Sequence, residues 1–345
     1  MRFSDIEGQE GAIRALKFSL RRGEVAHAYL FVGPANTGKM ATALAFASAL
    51  NCVNKTFENN EDACGTCISC RRIEAGTHSD VRIITPEGDQ TKIDQMREMI
   101  KSLQFAPLGG RWSVVIIEQA DTLNPSSENA ILKILEEPPS YAVLILLSCN
   151  PTLLLPTIRS RCRTIRFMRA STSEVEAMLK RNFDLPEEKV KLIAACSQGA
   201  IGRAIRMASD PAMLEDRAAV LGLIRNWPTS PPVLAFKTAE TIRKMAEGTQ
   251  SDTDERTRIG RLHRLLDYIL SWYSDLLSLK IRGNDAPVCN IDMVDDLKEQ
   301  VVLYTRERLQ AAIKSIMDTR RYLAGNVTAQ LALENMLFDI RPDNI

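Results

Sequence analysis

Along the first half of the chain, short apolar runs rich in β-branched residues alternate with stretches whose apolar positions recur at helical spacing. That alternation is how a parallel sheet covered by helices on both faces reads. The runs predict strands at 28–32, 81–85, 114–117, 143–147 and 164–167. Helices are predicted over 40–50 and 93–103, and a third opens at Asn124-Pro125 and closes before Pro138-Pro139. The third is well marked, because Asn can cap a first turn, Pro tolerates the first helical position, and Ala130, Ile131, Ile134 and Leu135 fall on one face.

Beyond Met168 the strand signals stop and helical periodicity runs on. Segments 174–181, 186–197 and 201–208 predict a small helical bundle. A further block carries two apolar stripes, one of Leu262, Leu266, Ile269, Tyr273 and Leu276, the other of Leu309, Ala312, Ile313, Ile316 and Leu323. Such stripes form bundle cores. Breaks at 227–232 and 248–258 read as loops within that block. Three parts are therefore expected: an α/β domain over 1–168, a helical lid over 169–212 and an all-helical domain over 213–345.

Composition narrows the classes. Of 345 residues, 45% are hydrophobic and 25% charged, ordinary globular usage that excludes a disordered chain. Lys+Arg 44 against Asp+Glu 43 leaves a net charge of +1, so any contact with phosphate must be local rather than spread over a basic surface. No basic leader precedes an apolar stretch and no 18 apolar residues run together, so neither export nor a membrane span is expected, and a soluble cytoplasmic protein is.

Gly33-Pro34-Ala35-Asn36-Thr37-Gly38-Lys39 lies between a predicted strand and a predicted helix, the setting in which backbone N–H groups cradle phosphates. The next residue should be a Ser or Thr that ligates Mg²⁺, yet it is Met40, whose thioether is a poor ligand for a hard cation. After the strand 114–117 come Glu118, where an Asp would hold the metal, and Gln119, where a Glu would activate water. Gly33, Gly38 and Lys39 thus make a phosphate loop that reads as vestigial, and whether it still holds ATP stays open.

Of eight cysteines, four cluster as Cys52, then Cys64-x2-Cys67-x2-Cys70. Four thiolates at that spacing can wrap a tetrahedral Zn²⁺, with Gly65 allowing the tight turn and no coordination position left open for catalysis. An iron–sulfur cluster and reduced structural thiols are the rival readings. Cys149, Cys162, Cys196 and Cys289 stand singly and read as small hydrophobes.

Several runs together resemble the AAA+ clamp loaders of bacterial DNA polymerase III: Phe3-Ser4-Asp5-Ile6-Glu7-Gly8-Gln9, His27-Ala28-Tyr29-Leu30-Phe31, the cysteine cluster, His78-Ser79-Asp80, Ile93-Asp94-Gln95-Met96-Arg97, the run 128–139 ending Glu136-Glu137-Pro138-Pro139, and Leu155-Pro156-Thr157-Ile158-Arg159-Ser160-Arg161-Cys162. Their order and spacing carry the likeness. It implies an α/β P-loop (AAA+) domain with a parallel sheet and a zinc-binding insertion at 52–70, then a helical lid and an all-helical collar. It implies that Arg161 is an arginine finger acting in trans on a neighbour's ATP, a role suited to a fixed guanidinium. Read from its surroundings alone, Arg161 is a surface arginine beside Arg159, Arg163 and Arg166.

The resemblance also places Asn150 where active relatives sense the terminal phosphate, though a turn before Pro151 explains it equally. Active relatives carry Arg in a Gly-x-x-Arg run of the lid; here Gly199-Ala200-Ile201 is followed by Gly202, and Arg203 comes one position late. A helix turns about 100° per residue, so Arg203 should point elsewhere. The expectation is a subunit of the DNA polymerase III holoenzyme without polymerase or ATPase turnover of its own, in a hetero-oligomer with tau/gamma-type ATPase and delta-type subunits. It would meet the sliding clamp indirectly and primer-template DNA weakly, Asn129 and Lys133 being candidates for the latter. An active ATPase subunit of the same loader is the main rival, and an unrelated P-loop protein with a zinc knuckle a third reading.

Overall fold

The computed structural model describes residues 1–54, 61–86, 90–247, 255–324 and 327–342. Its first compact unit comprises Met1–Glu174 with Gly199–Gly202, and its second Val175–Gln198 with Arg203–Ile345.

Five parallel strands form the sheet of the first unit in the order β2-β3-β4-β1-β5, with β1 Ala28–Val32, β2 Val81–Ile84, β3 Ser113–Ile117, β4 Ala142–Ser148 and β5 Arg163–Arg166. All five expected strands are present. β4 lies centrally and is buried along its whole length, which is why its sequence is a continuous apolar run. Alternate residues of neighbouring strands feed two cores. Tyr29, Phe31, Ile116 and Ile145 face α1 (Glu10–Arg22) and α2 (Lys39–Asn51), while Leu30, Val115 and Leu144 face α4 (Ile93–Ser102) and α5 (Pro125–Glu136). Between α2 and β2 stands the short helix α3, Ile68–Glu74.

The helix α5 begins as expected, since the Asn124 side chain accepts the Ser127 N–H at 2.8 Å and Pro125 occupies the first turn. After β4 the chain turns through α6 (Pro156–Arg161) into β5. Two acidic residues at either end of α5 hold α6. Glu128 accepts the Leu155 N–H at 2.9 Å, and Glu136 pairs with Arg161.

Among the described residues everything after β5 is helical, from α7 (Thr172–Asn182), α8 (Glu187–Ser197) and α9 (Ile201–Ser209) through α10 (Ala212–Asn226), α11 (Ala235–Glu247), α12 (Glu255–Arg282), α13 (Val294–Val301), α14 (Arg306–Ala324) and α15 (Ala329–Asp339). Both stripes read from the sequence enter the core of the second unit, with Ile269, Tyr273, Leu309 and Ile316 fully buried. Of the expected loop 248–258, residues 248–254 lie outside the described ones, and α12 already starts at Glu255. The other expected break needs correction at its first residue. Trp227 is a core anchor, its indole buried and donating to the Leu337 carbonyl at 2.7 Å.

Candidate functional site

The phosphate loop follows β1 and opens α2, with Gly38 at φ +89° where a Cβ would be strained. Gly33 is required by proximity, since a Cβ there would come within 2.4 Å of the Phe167 carbonyl. The loop is engaged with its own chain. Lys39 is buried, and its Nζ donates to the carbonyls of Gly33 at 2.6 Å and Pro34 at 2.7 Å while lying 3.5 Å from Cys149 Sγ. Met40 packs against the core that α2 shares with the sheet, so the position that would ligate Mg²⁺ serves packing instead.

The Asn36 carbonyl accepts the N–H of Gly202 at 3.0 Å, and a Cβ on Gly202 would stand 3.0 Å from that oxygen. Gly202, where the sequence comparison expected an arginine, is therefore a contact point of the loop. Arg203 lies instead over the Tyr268 ring, 5.6 Å from its centre. Gln119 is exposed in the left-handed region at φ +48°, and its carbonyl closes a turn by accepting from Thr122. Asn150 Oδ1 accepts from Thr152 N and Oγ1, at 3.3 and 2.5 Å, which ties its carbonyl end into a local turn.

Arg161 ends α6, partly exposed, with Nη2 donating to Glu136 Oε1 at 2.9 Å and Nη1 to the Thr157 carbonyl at 3.1 Å. Two anchors hold its guanidinium in one direction. Asn129 and Lys133 are exposed on α5.

The four clustered cysteines converge. Their sulfurs all lie within 4.8 Å of one another, with Cys52 to Cys67 and Cys64 to Cys70 each at 4.0 Å. Four sulfurs around a tetrahedral ion with bonds of about 2.3 Å would stand about 3.8 Å apart, so the set fits a metal once its wider pairs draw in slightly. Backbone N–H groups of Cys64, Cys67 and Cys70 point at neighbouring sulfurs at 3.3–3.5 Å, the arrangement that favours thiolates. Burial opposes ionisation of Cys64, yet donors from Thr66 and Cys67 outweigh it and pull its thiol down to about 6. Burial and the neighbouring Cys67 sulfur push Cys70 up. Gly65 takes φ +73°, the turn expected of it.

Cys162 and Cys196 are buried small residues as expected, but Cys149 is exposed beside Lys39, which corrects its reading as a hydrophobe. Other participants were not visible in the sequence. Asp121 accepts the Cys149 N–H at 3.1 Å, and Glu136 reaches Arg161 across 25 residues; an acid 25 positions before the arginine carries no local signal.

Two family models match the chain, one described as "DNA polymerase III, delta subunit" over residues 8–171 and one as "DNA polymerase III, delta subunit, C terminal" over residues 256–341. The chain is 27% identical over 331 residues to DNA polymerase III subunit delta' of Bacillus subtilis, covering 96% of this chain and 95% of that one. It is 38% identical over 183 residues to the delta' subunit of Pseudomonas aeruginosa, covering 52% and 55%. With the DNA polymerase III subunit tau/gamma of Haemophilus influenzae it shares 31% over 229 residues, 65% of this chain but 33% of that longer one. The likeness to delta' runs nearly end to end, the two models together match most of the chain, and the chain belongs to the DNA polymerase III delta/delta' subunit family.

Proposed function

We propose that this chain is a non-hydrolysing clamp-loader subunit that supplies Arg161 in trans to the ATP held by a neighbouring tau/gamma-type ATPase subunit while a sliding clamp is loaded onto primed DNA. The observation that carries the reading is a contrast. The chain's own loop has Met40 packed against the core, Lys39 turned onto loop carbonyls and Gly202 against Asn36, whereas Arg161 is held near the surface by Glu136 and Thr157. Groups for hydrolysis in cis are altered, and a guanidinium able to neutralise charge on a phosphoryl group elsewhere is kept.

In this reading residues 1–168 form the AAA+ module, 169–212 a lid and 213–345 the collar that joins the other subunits, a delta-type one among them, in the cytoplasm. Zn²⁺ is the metal of Cys52, Cys64, Cys67 and Cys70, holding residues 52–70 together as a structural ion, because an all-thiolate tetrahedral set with no open position suits it. Lys133 offers DNA one phosphate contact at most, so any grip on DNA comes from the assembly.

The test is reconstitution with the polymerase III ATPase and delta-type subunits, followed by DNA-stimulated ATP hydrolysis. A complex containing Arg161→Ala should assemble and hydrolyse more slowly. Unchanged hydrolysis and clamp loading in that complex would remove the finger role. Turnover by the isolated chain above that of Lys39→Ala would favour the rival reading of an active ATPase.

A further inference from the structure

Between α4 and β3 the chain passes through residues 103–112, a segment without regular secondary structure that displays Phe105 at 72% and Leu108 at 89% exposure. After Pro107-Leu108 its sequence runs into Gly109-Gly110, two residues whose backbone is free to take many conformations. Its backbone is nevertheless fixed at five successive N–H groups by two side chains from elsewhere. Asp80 accepts Leu108 N at 2.8 Å on one oxygen and Gly109 N and Gly110 N at 2.7 Å each on the other. Asn51 Oδ1 accepts Arg111 N at 3.0 Å and Trp112 N at 2.9 Å, and its Nδ2 donates to the Trp112 carbonyl at 2.9 Å. Both side chains are buried. A Cβ on Gly110 would fall 2.5 Å from Asn51 Oδ1, so the close fit requires glycine there.

Both anchors lead to the cysteine cluster. Asn51 immediately precedes Cys52 at the end of α2. Asp80 is reached through His78, whose Nδ1 accepts the Asp80 N–H at 3.1 Å. That bond leaves the ring proton on Nε2, which lies 3.0 Å from Ser69 Oγ. Ser69 stands between Cys67 and Cys70 on α3. One limb of the network therefore starts beside the first ligand and the other among the last two, and they meet in one loop.

We propose that the cysteine module is a splint: with zinc bound, it sets the conformation of residues 108–112 through Asn51 and through Ser69, His78 and Asp80, and so fixes the direction in which Phe105 and Leu108 are presented. This rests on the reading of the four cysteines as a zinc site. A metal that merely closed its own insertion would need neither limb. The splint makes the apolar loop depend on metal occupancy.

Hydrogen exchange on the full chain, read by mass spectrometry over 104–117 and over β4 as an internal reference, tests this. After zinc is stripped with a chelator, amides of 108–112 should exchange at least about tenfold faster while β4 keeps its protection. Ser69→Ala keeps all four ligands, so zinc content should stay at that of the wild type while 108–110 exchange faster, and Asn51→Ala should do the same at 111–112. Loop rates within twofold of the wild type after stripping, with β4 still protected, would overturn the proposal. If stripping unfolds the sheet as well, the two zinc-loaded variants decide alone, and unchanged loop exchange in both overturns it. A protein that never contains zinc fails the metal reading instead, which the metal assay reports separately.

Discussion

Arg161 is paired with Glu136 at 2.9 Å, the arginine closing α6 and the glutamate closing α5. Since Glu128 at the other end of α5 holds Leu155 at the start of α6, the two helices are clipped at both ends. In the proposed role, a finger that meets a phosphoryl group on another chain would gain from being held beforehand, because less freedom would then be lost on contact.

Replacing Arg161 with Ala should leave assembly intact and lower the DNA-stimulated ATPase of the complex. An arginine finger contributes about 10³ to 10⁵ at the site it serves, so the total should fall only in part if other interfaces keep their own fingers. Glu136→Ala should cause a smaller loss in the same assay. Its pair with Arg161 is partly exposed, worth about 0–1 kcal/mol, so the melting temperature of this variant should barely move.

Purified without added metal, the protein should contain about one equivalent of zinc by atomic absorption. Cys67→Ser should lower that content and loosen the insertion around 61–74, seen as new proteolytic cleavage there, while the sheet persists. A fully folded, metal-free protein would contradict the zinc assignment.

Steady-state ATP hydrolysis by the isolated chain should not exceed that of Lys39→Ala. The same substitution removes an ammonium that bonds two partly buried loop carbonyls, so it should cost stability, about 1.5–3 kcal/mol for hydrogen bonds from a charged group. Urea unfolding of both proteins reads this, and a higher activity in the unsubstituted chain would restore the active-ATPase reading.

Asp80→Asn should destabilise the protein by about 1.5–3 kcal/mol, since an amide cannot accept all three loop N–H groups as the carboxylate does. Burial raises the Asp80 carboxyl, but the three N–H donors outweigh it and hold it below the usual range. Its contribution is therefore fully present above the ordinary carboxyl value of about 4 and disappears as pH falls through the lower folded-state value. The gap between the two urea midpoints should be constant from about pH 8 to pH 5 and close only under stronger acid.

Much of this fold is legible in the chain because its signals are local. β4 announces itself by an unbroken apolar run, α5 by Asn124 and Pro125, the metal set by cysteines within one short stretch. What was hidden depends on distance along the chain. Lys39 meets Cys149 across 110 residues, and neither residue type nor spacing hints at it. Trp227 sits next to Pro228 in a stretch that reads as a break, yet its indole closes the helical core through Leu337, 110 residues on. The anchoring of 108–112 escaped for the same reason: Asn51 and Asp80 look like ordinary polar residues until folding brings them under one loop.

The contact between Gly202 and Asn36 makes a ratchet. Gly202 lets the loop carbonyl come near without any adjustment, since a Cβ there would stand only 3.0 Å from that oxygen. A larger residue there would press its Cβ on the loop, which would have to give by a few tenths of an ångström. Restoring Ser or Thr at Met40 first would put a hydroxyl against the core with no metal to bind. On the proposed reading, each single substitution toward an active loop is unfavourable without the others, so packing holds the loop in its present form.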